Sequence, residues 1–220
     1  MIAGLSGEDR DLADGDGRRF GFLMFDRFEE LDLIGPWEMA TMWRDYAGGP
    51  GCVTVSETAG EVTCAKGLVT RAEHSFATCP PLDYLLVPGG FSALDEMHNE
   101  RLVGWVRERA GTCRHVLSVC TGAFILQAAG LLDGRRATTH WKAMDGLRDL
   151  GVDAVKQRWV RDGNVWTSAG VSAGMDLLLG FIAEIDGDRA AASVQHNAEY
   201  YPDGRIHGDN ARHLDLENTV

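Results

Sequence analysis

The chain has 220 residues, 45% hydrophobic and 25% charged, with a formal net charge of −12. That length suits one α/β domain with a sizeable core, and the acidic balance excludes a broad basic surface for nucleic-acid phosphates or anionic membranes. Five cysteines, odd in number and without a CxxC pair, predict a reducing cytoplasm rather than a disulfide framework.

No apolar run approaches membrane-spanning length, and the N-terminus lacks the cationic and apolar regions of a signal peptide. Met1 to Arg19 holds several Asp and Gly and no periodic apolar face, so a disordered leader is expected there, with one domain over 20–200 and a surface tail over 201–220. Phe20–Phe25 (FGFLMF) reads as the first strand. After Gly35, Pro36 marks the first position of a helix. Its Trp37, Met39, Ala40, Met42 and Trp43 make an apolar face, for core or dimer contact, until Gly48-Gly49-Pro50 stops it.

Cys52–Ser56 is a second strand, and Val62-Thr63 with Leu68–Thr70 suggests a small hairpin beside the main sheet. Asp83–Pro88 is a central strand ending in Gly89-Gly90, and Asn99 to Ala110 has helical spacing. Ala137 to Leu150 contains a strand end and a helix. Val155–Val160 and Val165–Thr167 flank Asp162-Gly163, a hairpin signal, and helices follow over Gly170–Ile185 and Arg189–Tyr200. Strand alternating with helix predicts a mainly parallel sheet covered on both faces.

The most informative stretch is Arg114–Trp141. His115–Val119 supplies a short apolar strand, and from Thr121 to Leu132 the apolar positions recur at helical spacing. Cys120 sits at the changeover, so its side chain is expected at the exposed carboxyl edge of the sheet, with Gly122 easing the turn. The unpaired N–H groups of the following helix favour an anion there, predicting an easily ionised, nucleophilic thiol. The competing reading is a small buried hydrophobe.

Ligands of open α/β sheets bind outside the carboxyl ends of the strands. Asp32 interrupts the apolar run LDLIGPW; burial would raise its pKa toward a proton-donor role, and the alternative of a helix cap falls to Gly35 if Pro36 opens the helix. Gly89-Gly90 could aim backbone N–H groups at a developing anion or could simply turn the chain. Thr121 either lends its hydroxyl or N–H to that pocket or starts the helix. His140, in ThrThrHisTrp, invites a Cys–His pairing but as a lone histidine reads more readily as structural. The histidines show no metal-ligand spacing and the chain has no GxxxxGK or GxGxxG loop, so no metal or cofactor is expected.

Four segments carry a family resemblance: Phe28–Glu38, CPPLDYLLVPGG at Cys79–Gly90, SVCTGAFILQAAGLLDGRRATTHW at Ser118–Trp141, and RDGNVWTSAGVSAGMD at Arg161–Asp176. Together they resemble the ThiJ/PfpI superfamily of class I glutamine-amidotransferase-like proteins, and its isonitrile hydratase branch in particular. The resemblance covers roughly Phe20 to Tyr200. It implies a flavodoxin-like three-layer α/β/α sandwich with a nucleophilic cysteine at a strand-to-helix turn.

On those matching positions the resemblance makes Cys120 the nucleophile and Asp32 its acidic partner. Gly89, Gly90 and Thr121 would line an anion pocket, and Gly170 and Val171 the opposite wall. It also implies a homodimer acting on a small molecule. Thr121 stands where protease-like members carry histidine, and Asp32 where glyoxalase or deglycase members usually carry Glu, so both of those activities are disfavoured. The Cys-Thr-Gly run with ThrThrHisTrp also resembles the sensor half of certain AraC-type regulators. Those add a helix-turn-helix domain, for which the residues up to Val220 are expected to leave no room.

Overall fold

A computed structural model describes residues 15–202. The order of elements is β1 (Arg19–Leu23), α1 (Glu30–Ala47), β2 (Gly51–Ser56), β3 (Gly60–Thr63), β4 (Val69–Ala72), β5 (His74–Ser75), β6 (Tyr84–Val87), α2 (Ala93–Glu96) and α3 (Glu100–Ala110). It continues with β7 (His115–Val119), α4 (Gly122–Ala128), β8 (Arg136–Ala137), α5 (Met144–Asp149), β9 (Asp153–Ala154), β10 (Trp159–Asp162), β11 (Val165–Ser168), α6 (Ala173–Asp186) and α7 (Asp188–Asn197).

Seven strands form one sheet in the order β10-β11-β7-β6-β1-β2-β5, parallel throughout except for the antiparallel β10–β11 hairpin. Helices α1, α6 and α7 pack together on one face, and α4 contacts both α2 and α3 on the other. This is the flavodoxin-like sandwich expected from the sequence. The strands of its middle, such as Tyr84–Val87, are buried on both sides, which is why they read as continuous apolar runs rather than alternating ones. Chain order runs outward from β1 to β2 and β5, then returns past β1 to β6, β7 and β11. The reversal leaves a crevice at the carboxyl ends of β1 and β6, and β7 ends beside it.

Several boundaries differ from expectation. The first helix begins at Glu30, not at Pro36, so Asp32 lies inside its first turn. Pro36 removes the N–H that would have met the Asp32 carbonyl, and its ring is accommodated because Gly174 of α6 faces it: a Cβ there would stand 2.7 Å from Pro36 Cγ. A proline at the seventh position of a helix mimics a start signal, and only packing against α6 reveals the turn before it.

Of the strand expected over 155–160, only Trp159 and Val160 are in a strand. Asp153–Ala154 pairs with Arg136–Ala137 in a separate two-stranded ladder, and only Trp159–Asp162 joins the main sheet. The helix expected over Thr121–Leu132 ends at Ala128, where Arg107 of α3 donates to the Ala128 and Ala129 carbonyls and Gly130 turns left-handed.

Of the leader expected over 1–19, residues 15–19 are described. Residues 1–14 and 203–220, and with them most of the expected leader and tail, lie outside the described residues. Gly15, however, bridges to Pro50. Arg18 binds both carboxylate oxygens of Asp186 at 3.1 and 2.6 Å and the Tyr84 hydroxyl at 3.0 Å, tying the start of β1 to the end of α6. The same Asp186 accepts from Trp43 Nε1 at 2.9 Å. No helix among the described residues is long and apolar enough to cross a membrane.

Candidate active site

Strand β7 ends in Val119 and the chain turns at Cys120 with φ 57°, left-handed for a residue that carries a Cβ. Such a conformation costs on the order of 1 kcal/mol and persists only where neighbours over-determine it. Three hydrogen bonds do so here. The Cys120 N–H lies 3.2 Å from the carbonyls of both Ser168 and Ala169, and the Thr139 hydroxyl donates to the Cys120 carbonyl at 2.8 Å. Gly122 lets α4 start almost in contact with β6, since a Cβ there would stand 2.4 Å from the Val87 carbonyl oxygen.

Asp32 comes to the same place from the first turn of α1. It is fully buried, and its Oδ2 accepts the Gly89 N–H at 2.9 Å, whereas Oδ1 has no hydrogen-bond partner among the described residues. Burial pushes the carboxyl up to about 7; the Gly89 N–H and hydrogen bonding with the Cys120 thiol pull the other way, and the charge of neighbouring Glu29 adds to the rise.

Cys120 itself departs from expectation. Its side chain is not exposed but 6% accessible, and its thiol is raised to about 12, not lowered: burial comes first, and the charge of Asp32 second. The N–H and hydroxyl of Thr121 and the N–H of Val171 oppose those effects without overcoming them. A short α4 cannot hold a thiolate against a buried carboxylate. The resting pair is therefore a thiol facing an acid that titrates near neutrality.

The glycines after β6 also act differently from expectation. Their N–H groups are not free for an anion beside the sulfur: that of Gly89 is taken by Asp32, and that of Gly90 by the Thr121 Oγ1 at 2.9 Å. The Thr121 hydroxyl in turn donates to the Gly90 carbonyl at 2.7 Å. Gly89 has no room for a side chain, because a Cβ would lie 2.5 Å from the Thr121 nitrogen and 2.8 Å from Asp32 Oδ2. What remains near the sulfur is the Thr121 N–H and the Val171 N–H. Val171 has φ 54°, a strained value for a β-branched residue.

In front of this assembly lies a pocket of about 390 Å³. Cys120, Thr121, Gly90, Val171 and Glu29 line it with Phe124, Ala143, Gly146, His140, Lys142, Phe91 and Leu94, giving mostly apolar walls. Phe91 at its rim is 91% exposed. Gly170 does not line the pocket itself but carries His140, whose ring lies where its side chain would be. Thr139, Glu29 and Phe124 were not singled out from the sequence. Thr139 stands one residue before His140 in the ThrThrHisTrp run, which was the available signal. Among the described residues no three His, Cys, Asp or Glu side chains form a group that could hold a metal ion.

The DJ-1/PfpI family model matches residues 18–184. The chain is 40% identical over 193 residues to the isonitrile hydratase of Pseudomonas putida, covering 84% of this chain and 79% of that protein. It is 32% identical over 190 residues to the HTH-type transcriptional regulator CdhR of Pseudomonas aeruginosa, covering 85% of this chain but only 55% of the regulator. Among solved structures, a ThiJ/PfpI family protein from Pseudomonas syringae superposes with a TM-score of 0.83 at 29% identity, covering 99% of this chain and 92% of that one.

Proposed function

Because the chain belongs to the DJ-1/PfpI family, we propose that it acts as an isonitrile hydratase-like lyase, adding water to an isonitrile to give an N-substituted formamide. The observation that carries this reading is the buried Asp32 carboxyl facing the Cys120 thiol behind a mostly apolar pocket, in a chain 40% identical to a protein named isonitrile hydratase.

The terminal carbon of an isonitrile is electrophilic and must gain both a proton and an oxygen. The Cys120 sulfur attacks that carbon as its proton passes to the Asp32 carboxylate; the carboxyl then delivers the same proton to the carbon, leaving an S-linked thioimidate. Water adds next, its oxygen to the carbon, with a proton moving through Asp32 to the nitrogen. Collapse of the adduct forms the carbonyl, breaks the C–S bond and returns the hydroxyl proton to sulfur. Formamide leaves, and the thiol and carboxylate are restored. Because the thiol is deprotonated only as it attacks, a high resting thiol pKa is compatible with this route. The scheme draws on no metal or organic cofactor.

A second reading, a ligand- or oxidation-sensing module, is favoured by the similarity to the regulator. Incubating the protein with benzyl isonitrile and measuring N-benzylformamide separates the two. Product at a rate that Cys120→Ala abolishes supports the enzyme, and no product above the uncatalysed rate overturns it.

A further inference from the structure

We propose that Gly146 is a specificity-determining residue of this pocket: because it carries no side chain, the space beside Phe124 stays open to receive a ring-sized apolar substituent on the isonitrile nitrogen. The proposal rests on the hydratase reading above and names the substrates that such an enzyme would favour.

Gly146 lies inside α5, two residues after the helix begins at Met144. A helix interior is a poor place for glycine, which ranks below every residue but proline there. Neither backbone nor packing calls for it. Its φ is not one of the left-handed values, so a side chain could be carried without strain. Among the described residues a Cβ at 146 would meet, outside its own helix, only the tip of the Phe124 ring, 3.5 Å from Cζ and 3.6 Å from Cε1. Those are ordinary contact distances, unlike the 2.5 Å approach that forbids a side chain at Gly89. What a side chain at 146 would occupy is the pocket, since Gly146 and Phe124 both line it.

Both of these walls are held in place. Met144 and Leu147, which flank Gly146, are buried, and the Arg148 guanidinium donates to the Ala154 carbonyl at 3.3 and 3.2 Å, fixing α5. Phe124 is buried on α4, four residues after Cys120, and its N–H donates to the Thr121 carbonyl at 3.0 Å.

An isonitrile is linear through its carbon and nitrogen, so a carbon taken by the Cys120 sulfur carries its substituent straight out from that sulfur. Asp32, fully buried, closes the inner side. The substituent is therefore left with the pocket, whose apolar surface comes from Phe124, Ala143, Leu94 and Phe91. An apolar ring loses its water there without stranding a polar group, and an aromatic one can add an edge or face contact with Phe124. A side chain at 146 would compete for the same volume.

The test compares kcat/KM for benzyl isonitrile and for methyl isonitrile, whose substituent is a single methyl group, in the wild type, Gly146→Ala and Gly146→Leu. Both replacements are better helix formers than glycine, and thermal melts check that the variants fold. The expected result is a benzyl-to-methyl ratio that falls in Gly146→Ala and falls further, by roughly 10- to 100-fold, in Gly146→Leu, mainly through KM for the benzyl substrate. Should Gly146→Leu fail to fold, the ratio in Gly146→Ala decides. A ratio equal to that of the wild type overturns the proposal, and so does one that moves toward the benzyl substrate. Formamide from the wild-type protein with such a result refutes the role of Gly146 alone, whereas no formamide from either isonitrile with the wild type removes the hydratase reading and this role with it.

Discussion

The Asp32 carboxyl and the Cys120 thiol, 88 positions apart in sequence, meet in the crevice where the strand order of the sheet reverses. Burial favours the protonated form of both groups, and the carboxylate charge raises the thiol still further. The pair is arranged to pass a proton between its members rather than to store a thiolate.

Removing either partner should stop turnover by a different route. Cys120→Ala is expected to show no formamide production above background and an unchanged circular-dichroism spectrum. Asp32→Asn keeps shape but cannot accept a proton, so a rate loss of roughly 10²- to 10⁴-fold is expected. The same variant should lower the thiol pKa, because the charge that raises it is gone. Ultraviolet titration of the thiolate checks this. A near-normal rate in Asp32→Asn would remove the acid–base role.

The route begins from the carboxylate form of Asp32, so kcat/KM should rise with pH and level off above about 7. A steady-state pH profile with benzyl isonitrile tests this. A profile flat from about pH 5 to 8 would show that Asp32 does not govern the reactive state.

Stability should carry the opposite trend. The folded Asp32 holds its proton more tightly than the unfolded residue, whose pKa is near 3.8. Its stabilising contribution is therefore full below about pH 4 and is lost as pH rises through about 7. Asp32→Asn abolishes that loss, so its advantage in unfolding free energy over the wild type should grow between those limits, by on the order of 4 kcal/mol. Urea melts at several pH values measure it; an advantage independent of pH would contradict the assignment.

Thr121 and Gly90 exchange two hydrogen bonds, at 2.7 and 2.9 Å, in a buried setting. Thr121→Val leaves the Gly90 N–H without a partner and its carbonyl with the Ala93 N–H alone, and should cost about 1–3 kcal/mol, with Thr121→Ser recovering most of it. Chemical denaturation of the two variants provides the comparison.

Arg18 is a control far from the chemistry. Arg18→Ala breaks the pairing with Asp186 and the bond to Tyr84 and should lower the melting temperature, at about 1–3 kcal/mol, with kcat/KM unchanged. Equal stability would mean that residues 15–19 are not held in place as described.

What the sequence made legible follows from local rules. Parallel strands buried on both faces read as apolar runs, so His115–Val119 and Asp83–Pro88 stood out, and the change from strand to helical spacing placed Cys120 at a turn. The lone charge in LDLIGPW likewise marked Asp32. Local rules misled where packing overrides them. Pro36 looked like a helix start because its match to Gly174 of α6 is invisible along the chain. The thiol looked acidic because a helix N-terminus is a local feature, while the burial and the carboxylate that reverse its effect come from distant residues.

The order and kind of residues therefore determined the sandwich, the turn at Cys120 and the candidacy of Asp32, since periodicity and turn chemistry act over a few neighbouring positions. Only the tertiary structure decided the protonation of the pair, the capture of the Gly89 and Gly90 N–H groups, and the wedging of His140 against Gly170. Desolvation and hydrogen-bond pairing depend on which groups become neighbours in space, and that is settled when the strands line up in the sheet.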